Sequence, residues 1–193
     1  MRILVNWPPL LRTLLLCAVL AGLGGCAGER PPLASASATV EGPYRLDSGD
    51  VLRVVVFDQP SLTNTYRVDQ AGNVALPLIG DVAARNATTD ELQARIAQRL
   101  GSTVLRKPDV TIEVANYRPF FVLGEVGAPG QYEYVPGMTA ETAIAAAGGF
   151  TARANERTVR ISRTVDGKLY EGRIAVVQPI RPGDTIYVSE RLF

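Results

Sequence analysis

Histidine is absent from all 193 residues, which removes Ser-His and Cys-His nucleophile pairs, His-bearing zinc sites and every imidazole acid–base mechanism. Cysteine is nearly absent. Cys17 and Cys26 are its two occurrences, both in the first 26 residues, so the body of the chain carries no disulfide even in an oxidising compartment. Charge of one sign is missing as well: 20 basic groups face 19 acidic ones, leaving no basic stripe to collect phosphates and no nucleic-acid partner. Beyond residue 26 no apolar run is long enough to span a bilayer. What remains is 47% hydrophobic and 20% charged, the composition of a folded protein with room for one or two small units.

Residues 1–25 read as a cleaved export signal, because Arg2 and Arg12 precede an apolar run from Leu14 to Ala21 that closes in small residues. The run is shorter than the roughly 20 residues of a transmembrane helix. Its end, Leu23-Gly24-Gly25-Cys26, resembles a bacterial lipobox. That resemblance implies a diacylglyceryl thioether on Cys26, cleavage before it and acylation of the new amine, each buried CH₂ contributing about 0.8 kcal/mol of membrane affinity. Ala27 after the cysteine, in place of Asp, implies sorting to the outer membrane. The alternative is an ordinary secretory signal with a chance cysteine. Residues 26–42, with Pro31-Pro32 and an Ala/Ser tract from Ala34 to Ala38, read as a lipid-anchored linker.

The organised chain predicts an α+β fold in two units. In the first, residues 43–116, a Gly49-Asp50 turn launches a β-branched strand from Val51 to Phe57, and arms Tyr66–Val68 and Val74–Leu78 flank Asp69–Asn73 as a hairpin. Thr88-Thr89-Asp90-Glu91 fits a capping box, Leu92, Ile96 and Leu100 form a core stripe, and Gly101 ends the helix. Val110–Val114 alternates as a half-buried strand. In the second, residues 117–193, strands are expected at Phe120–Leu123, Gln131–Tyr134, Arg157–Arg163, Lys168–Ile174 and Asp184–Val188 around a short helix, Ala140–Ala147, capped by Thr139. Strands wrapped around one helix predict a β-grasp-like arrangement.

Carboxylates are the only material for acid–base chemistry. Asp47, Asp50, Asp58 and Asp69 fall near turns, where Asp bonds its own backbone locally; a glycosidase-like pair would need two of them in a cleft. The expectation is therefore no enzyme, no cofactor and no metal site. Gly124–Gly130 and Gly148-Gly149 match neither a Walker nor a dinucleotide spacing and read as close backbone packing. Phe120, Phe121, Tyr132 and Tyr134 are candidates for stacking on sugar rings, although alternation along strands sends half of such residues to the core. The pairs Gly49-Asp50 and Gly183-Asp184 read as turn chemistry.

Taken in order, Tyr44-Arg45-Leu46, Gly49-Asp50-Val51-Leu52, Val68-Asp69, Leu76-Pro77-Leu78-Ile79-Gly80, the Thr88–Leu100 segment and Lys107-Pro108-Asp109-Val110 resemble the polysaccharide biosynthesis/export domain of outer-membrane polysaccharide export lipoproteins. Gly124-Glu125-Val126 with Pro129-Gly130, Ala143–Gly149, Val159–Arg163 and Pro182-Gly183-Asp184-Thr185-Ile186 resemble an SLBB domain, a β-grasp module. The resemblance implies a homo-oligomeric ring around a periplasmic cavity that passes capsular or exopolysaccharide, and an inner-membrane polysaccharide co-polymerase as partner. Long members carry further SLBB domains and a C-terminal helix across the outer membrane; after Val188 this sequence shows no spanning element. The expected location is thus the Gram-negative envelope, as a periplasm-facing lipoprotein held in outer-membrane lipid through Cys26, with a separate outer-membrane barrel completing the route. Two other classes stay open: a glycan- or co-polymerase-binding assembly module without a pore, and a polysaccharide-cleaving enzyme, which needs two carboxylates about 5–10 Å apart in a cleft and which nothing in the spacing supports.

Cys26→Ser is expected to abolish labelling by a fatty-acid analogue and to leave a soluble or uncleaved product. Labelling that survives the change contradicts the lipobox.

Overall fold

A computed structural model describes residues 43–103, 105–165 and 167–191. The signal 1–25, Cys26 and the linker lie outside the described residues. Strand β1 (Val51–Val56) follows the alternation of its sequence, with Leu52, Val54 and Val56 buried and the residues between them turned outward. It is the central strand of an antiparallel three-stranded sheet, between β2 (Asn64–Arg67) and β5 (Val110–Asn116). Val54 stands opposite Ile112, and Leu52 opposite Tyr66 on one side and Val114 on the other.

The hairpin expected across Asp69–Asn73 is half present. The turn forms, with the Gly72 amide donating to the Asp69 carbonyl at 3.0 Å and the Asn73 amide to Asp69 Oδ1 at 2.8 Å. Its arms, however, part company: β2 joins β1, while β3 (Asn73–Leu76) pairs with β4 (Gly80–Ala83), a strand not anticipated from sequence. Pro77 sets the end of β3. It has no N–H to donate, so β3 stops at Leu76, and the chain reverses through Leu78 and Gly80 at φ of 70° and 67°.

Helix α1 (Thr89–Thr103) begins as its sequence dictates, since the Glu91 amide donates to Thr88 Oγ1 and the Thr88 amide to Glu91 Oε2, both at 3.1 Å. Leu92, Ile96 and Leu100 are fully buried. Gly101 does not end the helix. It keeps helical backbone outside the left-handed region, and the hydroxyls of Ser102 and Thr103 donate back to the Arg99 carbonyl at 3.0 and 2.8 Å. After Thr103 the Leu105 amide donates to the Leu100 carbonyl at 2.9 Å, and Lys107 takes a left-handed backbone, φ 54°, ahead of Pro108. The helix stripe, β1, Val74 and Val82 close one hydrophobic core.

A second core belongs to the rest of the chain. Strands β6 (Phe120–Gly124), β7 (Gly130–Tyr132), β8 (Thr158–Val165), β9 (Lys168–Ala175) and β10 (Thr185–Val188) form a sheet in the order β7-β6-β10-β8-β9, in which only β6 and β10 run parallel. Two hairpins flanking a parallel central pair, with helix α2 (Ala140–Ala146) laid on one face, make a β-grasp arrangement. Thr139 caps α2 in a box closed by Thr142 in place of the usual Glu or Gln. The fold as a whole is mixed α+β.

Ile96→Ala should cost about 2–5 kcal/mol by urea unfolding. Arg95→Ala, which loses one exposed hydrogen bond to the Ala83 carbonyl, should cost less than about 1 kcal/mol. Equal costs would contradict the packing of this face.

Candidate functional site: the joint between the two cores

The chain passes from one core to the other through Tyr117-Arg118-Pro119, and two Gly-Asp turns converge there. Gly49 and Gly183 sit at φ of 96° and 83°, a backbone that glycine adopts without strain. Each turn brings the amide three residues before the Asp onto its carboxylate: Asp47 N–H donates to Asp50 Oδ2 at 2.9 Å, and Arg181 N–H to Asp184 Oδ2 at 2.7 Å. Both Asp amides close the turn on the carbonyl of the same residue at 3.2 Å. Thus the same hydrogen-bond pattern precedes β1 and β10.

Both carboxylates are buried, Asp50 at 0% and Asp184 at 1% exposure, and a buried charge persists only when paired and hydrogen-bonded. Asp184 takes a bidentate grip from Arg163, Nε to Oδ1 at 2.8 Å and Nη2 to Oδ2 at 2.7 Å. Asp50 is held from the linker: the Arg118 amide donates to Oδ1 at 3.0 Å and its Nη1 to Oδ2 at 3.2 Å, while the Tyr44 hydroxyl donates to Oδ2 at 2.7 Å. Arg118 also lies against both turns. A Cβ added at Gly183 would come 2.8 Å from Arg118 Nε, and one at Gly49 3.4 Å from Arg118 Cβ. The Gly183 amide donates to the Pro119 carbonyl at 3.0 Å.

A row of tyrosines covers this joint. Tyr44 meets Tyr117 edge-to-face at 4.9 Å, and Tyr117 meets Tyr134 at 5.5 Å. Burial holds the Tyr44 phenol protonated well above the ordinary tyrosine range; Arg118 opposes this and Asp50 reinforces it. Burial also raises Tyr117 and Tyr134, and it lowers Arg181, with Arg163 adding repulsion. The joint is a lock: its carboxylates are engaged by guanidinium and amide donors and serve the fold.

Asp47, Asp50, Asp58 and Asp69 are not brought into one cleft with a shared role. Asp69 bonds its own turn and Asp58 is exposed at φ 58°, while Asp47 accepts from the Ser48 amide and pairs with Arg85 at 3.0 Å. Asp50 departs from the expectation of purely local turn bonding, because its second partner, Arg118, lies 68 residues away. The repeated Gly-Asp dipeptide was the available signal for this, and turn chemistry explains only half of it. The glycine loops do pack backbone on backbone: Gly127 and Ala128 donate to the carbonyls of Gly149 and Ala147 at 2.9 and 2.7 Å. A Cβ at Gly127 would lie 2.7 Å from the Gly148 carbonyl oxygen. Of the four aromatics, Phe120 is core, Tyr132 and Tyr134 pack against it, and Phe121 faces outward. Beside the joint, a cleft of about 390 Å³ opens between Tyr44, Tyr117, β5 and the start of α1; Asp90 and Glu113 at its wall make it unfavourable for anions. No helix among the described residues is long and apolar enough to cross a membrane.

Comparison with known proteins places this geometry. Residues 38–115 match the family model described as polysaccharide biosynthesis/export protein, and residues 119–178 match the SLBB domain. The two matches meet at the Arg118 linker. The chain thus carries a polysaccharide biosynthesis/export domain followed directly by an SLBB domain. Among curated relatives, the exopolysaccharide production protein ExoF of Rhizobium meliloti (strain 1021) is 35% identical over 118 residues, 55% of this chain and 28% of that protein. The EPS I polysaccharide export outer membrane proteins EpsA of Ralstonia solanacearum and Ralstonia nicotianae are 28% and 30% identical, each over 77% of this chain and 48% of theirs. The chain therefore spans half or less of the length of these relatives.

Asp50→Ala takes the acceptor from the Arg118 amide and the Tyr44 hydroxyl and the counter-charge from the Arg118 guanidinium, which keeps only its bond to the Tyr44 oxygen at 2.8 Å, and is expected to cost about 3–5 kcal/mol in chemical unfolding. Asp47→Ala, which breaks a half-exposed pair with Arg85, should cost less than about 1 kcal/mol.

Proposed function

We propose that this chain is a non-enzymatic subunit of a polysaccharide export machine in the Gram-negative envelope. Its export unit, 43–116, and SLBB unit, 117–193, assemble as a homo-oligomeric ring around a passage for capsular or exopolysaccharide. Residues 1–25 are removed, Cys26 is the lipid attachment in the outer membrane, residues 26–42 are the tether, and an inner-membrane co-polymerase and a separate outer-membrane barrel are the partners. The observation that carries the reading is the tandem match of the two family models on either side of the Arg118 joint. The names of the Ralstonia relatives, outer membrane proteins of polysaccharide export, support the cargo and the location. The engagement of Asp50 and Asp184 in the fold supports a role without acid–base chemistry.

Such a passage works by weak, repeated polar contacts, since tight binding at one point would slow exit. In a strain lacking the gene, the full chain should restore secreted polysaccharide, and its detergent-extracted assembly should have the mass of a ring. Asp47→Ala, Asp58→Ala and Asp69→Ala should keep export within about twofold. A folded, assembled variant that loses export about a hundredfold, roughly 2.7 kcal/mol in a barrier, would replace the conduit by chemistry. Restored export from a chain that stays monomeric at micromolar concentration would favour the pore-free assembly module.

A further inference from the structure

The five-stranded sheet covers its core with one face and leaves the other open. Because Phe120, Val122 and Ile186 take the inward positions, Phe121 and Leu123 on β6 and Tyr187 on β10 point away from the core, 39%, 43% and 39% exposed. The strand register then aligns one row across the sheet: Leu123 beside Tyr187, Tyr187 beside Arg160, and Arg160 beside Arg173. Crossing four strands, the row is roughly 14 Å long. Arg160 lies over the Tyr187 ring, 4.4 Å from its centroid.

The charges in this row are not balanced from within. Arg160 and Arg173 are direct cross-strand neighbours on one face, an arrangement in which like charges repel. Among the described residues neither guanidinium makes an ion pair; the ion pairs belong to other arginines. The carboxylate on the same face, Glu171, stands opposite Ser162 in the next cross-strand pair and accepts its hydroxyl at 3.3 Å.

We propose that this open face is a binding surface for an anionic glycan, one that carries carboxylate groups along its chain, and that it is where the exported polymer touches the SLBB unit; the proposal rests on the export reading above. A carboxylate between Arg160 and Arg173 relieves their repulsion, and each planar fork is suited to bind it through two parallel N–H donors. Phe121, Leu123 and Tyr187 add an apolar platform for the C–H faces of neighbouring sugars. A protein partner fits less well. Five strands of three to eight residues, five or six on average, present roughly 19 by 18 Å, on the order of 350 Å², against about 800 Å² per partner in a stable complex. An exposed, shallow surface with paired cations holds a polymer weakly enough to let it move.

The test is surface plasmon resonance on the detergent-extracted full chain with two probes of equal length, hexagalacturonate and neutral maltohexaose. Hexagalacturonate is expected to bind at least tenfold more tightly, to weaken with added salt, and to lose at least tenfold in the double variant Arg160→Gln/Arg173→Gln. Should that variant fail to fold, Arg160→Lys/Arg173→Lys keeps the charges, removes the planar forks and should bind several-fold more weakly. Binding no tighter than that of maltohexaose overturns the proposal, as does binding that the folded double variant leaves unchanged. A double variant that alters the mass of the assembly while leaving hexagalacturonate binding intact overturns it too and assigns the face to contact between copies of the chain. The two readings separate cleanly: failure of the wild-type chain to restore export overturns the export reading, whereas the binding ratios decide the face whichever way that experiment falls.

Discussion

A single arginine in the linker carries the constraint on which the molecule depends. Two hydrophobic cores, each too small to dictate how the other sits, are joined through three residues, and Arg118 is the one that both halves grip. Its amide and side chain satisfy the buried Asp50 from the first half, and its guanidinium lies against Gly183 from the second. Buried ion pairs often add little net stability, because desolvation offsets the attraction. What the pair does here is join sequence-distant segments, since the buried Asp50 carboxylate is held by an arginine 68 residues away. The tyrosine row and the bond from Gly183 to the Pro119 carbonyl reinforce that link with apolar contact and backbone geometry.

The same device appears twice. Gly49-Asp50 and Gly183-Asp184 precede strands β1 and β10, each with glycine at positive φ and a carboxylate capping the amide three residues back. In the first turn the guanidinium partner comes from the linker; in the second it comes from Arg163 on β8. One turn therefore fastens the halves together, and the other fastens the central strand of the β-grasp sheet to its neighbour. Besides the joint, the described residues carry two charged surfaces, the cleft near the start of α1 and the open sheet face.

Those two surfaces differ in sign. The cleft near the start of α1 is walled by Asp90 and Glu113, whereas the open face of the five-stranded sheet carries Arg160 and Arg173 side by side. A chain with almost no net charge thus carries local clusters of each sign, which overall composition hides. Separated patches of opposite sign steer a charged polymer toward one surface and away from the other.

Much of the local chemistry was legible in the sequence. The Thr88–Glu91 capping box, the Thr139 cap, the Leu92, Ile96 and Leu100 stripe and the alternation of β1 follow from interactions between residues no more than four apart, or from a single residue's allowed backbone. The quoted motifs likewise carried the family. Partner choice was decided only by the tertiary structure. Only the structure shows that β3 pairs with β4 and that α1 runs past Gly101 to Thr103. The burial of Asp50 and Asp184 and the meeting of Arg160 with Arg173 depend on residues 68, 21 and 13 positions apart. Such pairings are set by which strands lie side by side and in what register, and a register is a property of two segments packed together, written in neither one alone.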